Sequence, residues 1–401
     1  MSKYYRIFSL IALFVFFNSI ACSMLIRDLP ATATVELTAT GTPIPTNSST
    51  PTQTVTATQT ATITPTSTPT PTSTVYVLPG TALPSTSPAI TMDNANFVSG
   101  LATWQEETVT SAAWSPDGEA LAIADQEEIN FYDPTTRQVL RTLYPRSKEI
   151  IEIAFSPDGK WLVSGNRRGE EGSGYGSSIE LWLGPDWMPM GILYGAPRAL
   201  STIAFSPDSK LFFTAYASPE FQDNSVDFWN TATWKITDTL MTGTVLQIAI
   251  SPNNKLLAVS PNRYAIKIRD MEEDEWLYNL HTSFTGAVNT MTFSPDGRTL
   301  ATGHYDGLIR LWDMNTGQKI REIETPAVVQ SLAFNRDGRI LASGGSFEDS
   351  RIRLWDIVNG TMLRELDGHE NGIDHLVFSP NDQYLVSASY DGSIWMWGIR
   401  P

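Results

Sequence analysis

The chain has 401 residues, 41% apolar and 10% aromatic, and 27 Lys and Arg against 43 Asp and Glu give it a formal net charge of -16 at pH 7. That is enough apolar content for a large core, while so acidic a surface repels phosphate backbones and argues against nucleic acid as a partner. The one cysteine, Cys22, excludes a disulfide or a cysteine-ligated metal site within one chain.

Lys3 and Arg6 precede an uncharged apolar run from Ile7 to Ile26, the charged and hydrophobic regions of an export signal. Ser19-Ile20-Ala21-Cys22 resembles a bacterial lipobox, with the small Ala21 before the cysteine that would carry lipid. An uncleaved signal anchor is the alternative, because about 20 apolar residues span a bilayer. Either reading exports the chain and tethers it by its N-terminus to the outer face of a bacterial membrane or envelope. From Leu29 to Ile90 the composition is Thr, Pro, Ser and Ala with one charged side chain, Glu36. Such a segment buries too little apolar surface to fold and reads as an extended, disordered stalk whose hydroxyls permit glycosylation.

A repeat begins near Ala95. Its clearest copy runs from Met291 to Asp313, where alternating apolar residues lead into the turn Ser294-Pro295-Asp296-Gly297. In that turn Pro presets φ, Asp bonds local backbone and Gly takes positive φ. A second strand from Thr299, a turn at Tyr305-Asp306-Gly307 and a third strand ending Leu311-Trp312-Asp313 follow. The first turn recurs at Ser115, Ser156, Ser206, Ser251, Asn335 and Ser379, at intervals of 41 to 50 residues, with Ser209, Asn254 or Asp382 where Gly is lost. That period is the length of a propeller blade, and a four-stranded sheet of this size must stack on neighbours to bury both faces.

These repeats resemble the WD-repeat family of β-propellers. Leu311-Trp312-Asp313 and Leu354-Trp355-Asp356 match its signature, whereas Tyr132 and Arg269 stand where Trp is expected. The expected fold is all-β: a seven-bladed β-propeller of four-stranded antiparallel blades over residues 93–401, preceded by a signal peptide at 1–22 and a disordered Thr/Pro-rich linker at 23–92. Only four residues follow Trp397, too few for a fourth strand in blade 7. Phe97 to Trp104 is therefore expected to pair there and close the ring, burying Phe97, Leu101 and Trp104.

The resemblance implies that His369, Ser387, Asp391 and Trp397 form the structural hydrogen-bond tetrad of blade 7 rather than a catalytic triad. Blade 5 keeps Thr302, Asp306 and Trp312 but has Phe284 at the histidine position. Three residues before each bulky turn residue stand Ser111, Glu152, Thr202, Gln247, Thr290, Ser331 and His375, a polar ring expected near the axial channel. The acidic run Glu272 to Glu275 reads as a solvated turn, because calcium loops need a set ligand spacing and a turn glycine. No phosphate loop or metal-spaced histidine pair is present, so no cofactor is implied.

The functional expectation is a non-catalytic, membrane-tethered, extracytoplasmic platform for unidentified protein partners, built on a monomeric propeller. Long loops after the second strands of blades 2 and 3 supply a candidate patch of Arg167, Arg168, Tyr175, Phe221 and Gln222. The alternative is an extracytoplasmic enzyme or small-ligand receptor using the axial channel.

Overall fold

The computed structural model describes residues 87–400, except 107, 148, 168–175, 195–198, 218–224, 263 and 283–285, together with one earlier strand, Thr74–Val77. Among these residues the fold is a seven-bladed β-propeller of antiparallel sheets. In blade 5 the strands Val288–Phe293, Thr299–His304, Leu308–Asp313 and Lys319–Glu324 pair in chain order from the axis outward. The first strands of the other blades are Ser111–Trp114, Ile150–Phe155, Leu200–Phe205, Ile248–Ile250, Val329–Phe334 and Ile373–Phe378. Each touches the first strand of the next blade, and that of blade 7 touches that of blade 1, which closes the ring.

The turn after each first strand follows from its side chains. Ser294 Oγ donates to Asp296 Oδ1 at 2.6 Å and accepts from Thr299 N at 3.0 Å, pinning both arms of the turn. Its fourth residue takes positive φ in every blade: Gly118, Gly159, Gly297 and Gly338, and also Ser209, Asn254 and Asp382. In blade 6, Asn335 replaces Ser and accepts from Ile340 N through Oδ1 at 2.9 Å. The Asp of each Trp-Asp pair has a similar task one turn later, as Asp313 Oδ1 accepts from Asn315 N at 2.7 Å and Thr316 N at 3.2 Å. Glu272 to Glu275 lie on the corresponding turn of blade 4, organised by Asp270 Oδ1 at 2.8 and 2.9 Å from two backbone amides. No cluster of metal-ligating side chains occurs there or elsewhere among the described residues.

The core lies between the blades. One layer joins Ala122, Ile129 and Phe131 of blade 1 to Ile150, Leu162 and Trp182 of blade 2, and comparable layers follow around the ring. Close approach depends on missing side chains: a Cβ on Gly165, Gly303 or Gly344 would lie 2.5–2.6 Å from Leu200, Val329 or Ile373 of the next blade. Those partners are the aliphatics that recur at one register position of the first strands.

Blade 7 consists of Ile373–Phe378, Tyr384–Ser389 and Ser393–Gly398, completed by the N-terminal strand Ser99–Gln105. Thr103 pairs with Trp395 and Gln105 with Ser393, so the ring closes with one N-terminal and three C-terminal strands. Leu101 and Trp104 are fully buried as expected, but Phe97 is exposed. It sits on the short 3-10 turn Ala95–Phe97, whose geometry turns Ala95 and Val98 inward in its place. Packing also begins earlier than the sequence indicates. Ile90 is fully buried against blades 6 and 7 and donates its amide to Asp382 O at 2.7 Å, and Thr74–Val77 pairs with Ser99–Gln105 as a fifth strand. The apolar run Ile7 to Ile26, including Cys22, lies outside the described residues, and no helix among those residues is long and apolar enough to cross a membrane.

Candidate functional site

Two polar constellations stand out. The first is the blade 7 tetrad. His369 Nε2 lies 2.7 Å from Ser387 Oγ, and Trp397 Nε1 donates to that same oxygen at 2.8 Å. His369 Nδ1 is 2.7 Å from Ser393 Oγ and 3.5 Å from Asp391 Oδ2. Burial opposes ionisation of Asp391, but hydrogen bonds from His369, Ser393 and the Glu370 amide outweigh it and hold this carboxyl well below the usual carboxylate range. His369, Ser387 and Trp397 are buried, and the Ser387 oxygen faces an indole donor on one side and an imidazole on the other. A buried hydroxyl so enclosed ties the second and third strands to the loop that enters the blade, and it has no approach for a substrate carbonyl.

The histidine role is filled differently in other blades. In blade 5, His304 lies two residues beyond Thr302 on the same strand and reaches Thr302 Oγ1 through Nε2 at 2.7 Å, while Trp312 Nε1 donates to that oxygen at 3.0 Å. His304 Nδ1 donates to Gly286 O at 2.9 Å, so Nε2 is the acceptor, and burial lowers the ring to about 4. The histidine expected to be missing from blade 5 is thus supplied from the second strand, whereas Asp306, expected to be kept in the network, pairs with Arg310 at 2.6 Å. Phe284 lies outside the described residues. Tyr216 occupies the same register in blade 3, 3.2 Å from Thr214 Oγ1. Residue pairs two apart on a strand share a face, so Thr-x-His and Thr-x-Tyr were the sequence signal.

The second constellation is the axial channel. Six of the seven expected ring residues, Glu152, Thr202, Gln247, Thr290, Ser331 and His375, line one cavity of about 360 Å³, while Ser111 is buried outside its lining. The pairing register slips within the first strands of blades 2, 3, 5, 6 and 7, between Ile373 and His375 for example. Such a bulge re-aims an extra residue. A second tier consequently joins the ring, with Ser201, Asn289, Gln330 and Asp374 facing the same cavity. Strict alternation hides this tier, although the doublets Ser201-Thr202, Asn289-Thr290, Gln330-Ser331 and Asp374-His375 mark it.

Several ring residues replace backbone pairing between neighbouring blades. Ser111 Oγ accepts from Ile153 N at 3.1 Å, Glu152 Oε2 from Ile203 N at 2.8 Å, and Ser201 Oγ donates to Val245 O at 2.7 Å. His375 Nε2 donates to Thr110 O at 2.7 Å, across the junction where the closing blade meets blade 1. Around it, Asp374 Oδ2 lies 3.3 Å from Nε2, and Tyr390 Oη donates to Asp374 Oδ1 at 2.5 Å. Burial disfavours charge on His375, but Asp374, Glu152 and the Thr110 carbonyl prevail and push it up to about 8. For Glu152 burial dominates and raises its carboxyl. Asp374 stays below its ordinary value because His375 and Tyr390 overcome its burial.

A folded pKa raised from about 6.5 to about 8 gives stability that is complete below pH 6.5 and lost as pH rises through 8, worth about 2 kcal/mol. His304 acts in the opposite sense: kept neutral with a folded pKa of about 4, it destabilises as pH falls from 6.5 toward 4. Urea midpoints should therefore peak near pH 6.5, and His375→Gln should flatten the alkaline limb alone. A wild-type midpoint unchanged between pH 6.5 and 9 would rule out the His375 staple.

Of the candidate surface patch, Arg167 is exposed at the end of the second strand of blade 2, whereas Arg168, Tyr175, Phe221 and Gln222 lie outside the described residues. A different exposed set emerges on the loops after the second strands of three consecutive blades. Tyr305, Phe347 and Tyr390 are 38%, 72% and 57% exposed. The backbone holds these loops alike: Tyr305 N, Ser346 N and Tyr390 N donate to Ala287, Val328 and Gly372 carbonyls at 2.9–3.1 Å. Tyr390 touches the channel through Asp374, so the aromatic loops stand beside the cavity mouth.

Residues 137–182, 276–313, 317–356 and 360–398 match the family model described as WD domain, G-beta repeat. Each match runs from about the fourth strand of one blade through the third strand of the next, so the sequence repeat is offset from the structural one. Autophagy-related protein 16 of Arabidopsis thaliana is 27% identical over 237 residues, covering 56% of this chain and 44% of the relative. Apoptotic protease-activating factor 1 of Rattus norvegicus is 34% identical over 258 residues, 60% of this chain and 19% of the relative. Periodic tryptophan protein 2 of Arabidopsis thaliana is 24% identical over 221 residues, 55% and 24% respectively. The chain thus spans less than half the length of these relatives. With four of its repeats matched in sequence and its blades completed by the offset strand, the chain carries WD repeats built into a seven-bladed β-propeller.

Proposed function

We propose that this chain is a non-catalytic interaction platform, exported and held at the outer face of a membrane by its N-terminus, with lipid on Cys22 as the anchor. The observation that carries the platform reading is the row of exposed aromatic side chains, Tyr305, Phe347 and Tyr390, on equivalent loops of three adjacent blades. Aromatic side chains on a rigid frame lose little conformational freedom on binding and dominate the energetics of protein interfaces. WD-repeat propellers commonly serve as protein-interaction scaffolds, which agrees with this reading. The acidic charge of -16 favours a basic partner surface and speeds its approach.

Capture of partners from envelope extract tests both halves. Tyr305→Ala/Phe347→Ala should lose about ten-fold or more of the bound partner, since interface aromatics cost about 2 kcal/mol or more when truncated. Cys22→Ala should leave the membrane fraction while keeping that partner in solution. An undiminished partner yield in the aromatic variant would remove the platform reading, and a Cys22→Ala chain still sedimenting with membranes would replace lipid by a signal anchor.

A further inference from the structure

We infer that the axial cavity is a binding site for a compact organic cation, an ammonium or guanidinium group, held between Glu152 and Asp374. Four observations converge. First, the cavity, at about 360 Å³, falls within the roughly 300–1,000 Å³ of small-ligand sites. Second, the described lining includes the carboxylates of Glu152 and Asp374 and no Lys or Arg, so His375 is the sole countercharge facing them. Third, polar capacity in the cavity is left over. Ser331 is 7% exposed and lines the cavity, with no protein group hydrogen-bonded to its hydroxyl among the described residues, and the side chains of Gln247 and Thr290 are likewise without a protein partner there. Ser331 is buried and Gln247 and Thr290 are half-buried, and hydroxyls and an amide that line a cavity without a protein partner leave donors and acceptors open to a hydrogen-bonding occupant. Fourth, Tyr390 at the mouth, with its hydroxyl fixed on Asp374, offers an aromatic ring beside the acidic wall, and such rings attract cations.

The same geometry makes the site sensitive to pH. His375 is faced by Asp374 on its own strand, Glu152 on the first strand of blade 2, and the Thr110 carbonyl before blade 1, with Tyr390 beyond Asp374. A proton on His375 holds the positive charge that an entering cation would bring, so the two compete. With the ring titrating near 8, the deprotonated fraction rises about 30-fold between pH 6.5 and 9, and apparent affinity should rise by about the same factor. Glu152, raised by burial, ionises in the same direction.

The cation could reach the cavity free or on the side chain of a partner peptide. The free form is independent of the platform reading above, and the peptide-borne form rests on it. Titration calorimetry on the full-length chain separates these with three probes: butylguanidinium, a capped Gly-Gly-Arg-Gly-Gly peptide, and the same peptide with neutral citrulline in place of arginine. We expect one or both cationic probes to bind about 10- to 30-fold more tightly at pH 9 than at pH 6.5, and the citrulline peptide to bind at least about ten-fold more weakly than its arginine counterpart. Glu152→Gln/Asp374→Asn keeps acceptors for Ile203 N and Tyr390 Oη, and should lose the binding without a change in melting temperature at pH 9, where His375 is largely deprotonated and no longer draws stability from these carboxylates. His375→Gln should lose most of the difference between the two pH values, leaving only what Glu152 contributes, which provides a second measure if the double variant unfolds. Preference for butylguanidinium would identify a free metabolite-like cation, and preference for the arginine peptide a partner side chain. No heat from either cation at pH 9, equal binding of citrulline, or binding that survives the double variant would overturn the site. Because Tyr305→Ala/Phe347→Ala leaves the cavity lining intact, that variant should still bind butylguanidinium even if no protein partner is ever captured.

Discussion

A chain beginning at residue 106 should melt far below one beginning at residue 87, or precipitate. The loss removes Ser99–Gln105, the outer strand of blade 7, and with it the burial of Val98, Leu101 and Trp104. At roughly 1.5–3 kcal/mol for each large apolar side chain removed from water, these three contribute about 5–9 kcal/mol as an upper bound. Domains of this kind are stable by about 5–15 kcal/mol, so most of the margin goes. The third strand Ser393–Gly398 would become an unprotected edge, a template for aggregation. Comparison by calorimetry and size exclusion decides the matter. Equal melting temperatures and equal monomer yields would show that three strands suffice for blade 7 and that the ring closes without its N-terminal strand.

The second large effect concerns the two tetrad variants that differ by one histidine. In blade 7, Ser387 Oγ serves both Trp397 Nε1 and His369 Nε2, whereas in blade 6 Ser343 Oγ accepts from Trp355 Nε1 at 2.8 Å and the position two residues later is Gly345. No side chain fits at Gly345, because a Cβ there would lie 2.0 Å from Asp349 O. Ser387→Ala should therefore orphan two buried groups and Ser343→Ala one. At about 1–3 kcal/mol per buried unsatisfied group, the expected losses are about 2–6 and 1–3 kcal/mol, read from urea unfolding. Equal losses would mean that His369 finds another partner and that the tetrad of blade 7 adds nothing to the Trp-Ser pair of blade 6.

Local chemistry explains why so much of the fold could be read in advance. A Ser-Pro-Asp-Gly turn contains its own hydrogen-bond partners and its own positive-φ residue, so Ser294 to Gly297 specify their geometry without help from the rest of the molecule. Repetition at a blade's length then fixed the architecture, and the shortfall after Trp397 located the missing strand. Residue choice at the axis was also visible, since a polar side chain recurs at one register position from Ser111 to His375.

Tertiary structure decided what depends on departures from regularity. Phe97 was expected to be buried and Val98 was not, because a 3-10 turn at Ala95–Phe97 shifts the inward face by one residue. The slipped register in the first strands brought Asp374, Asn289 and Gln330 to the cavity, where strict alternation would have turned them away from the ring residue beside each. The contact between His375 and Thr110 spans 265 residues, and no pattern within one repeat reports what the first blade presents to the last. Sequence by itself determined the turns, the repeat and the number of blades, because those rest on interactions within a few residues. Which polar groups face one another across the axis was settled only when the ring closed, because that juxtaposition is a property of closure and of no single strand.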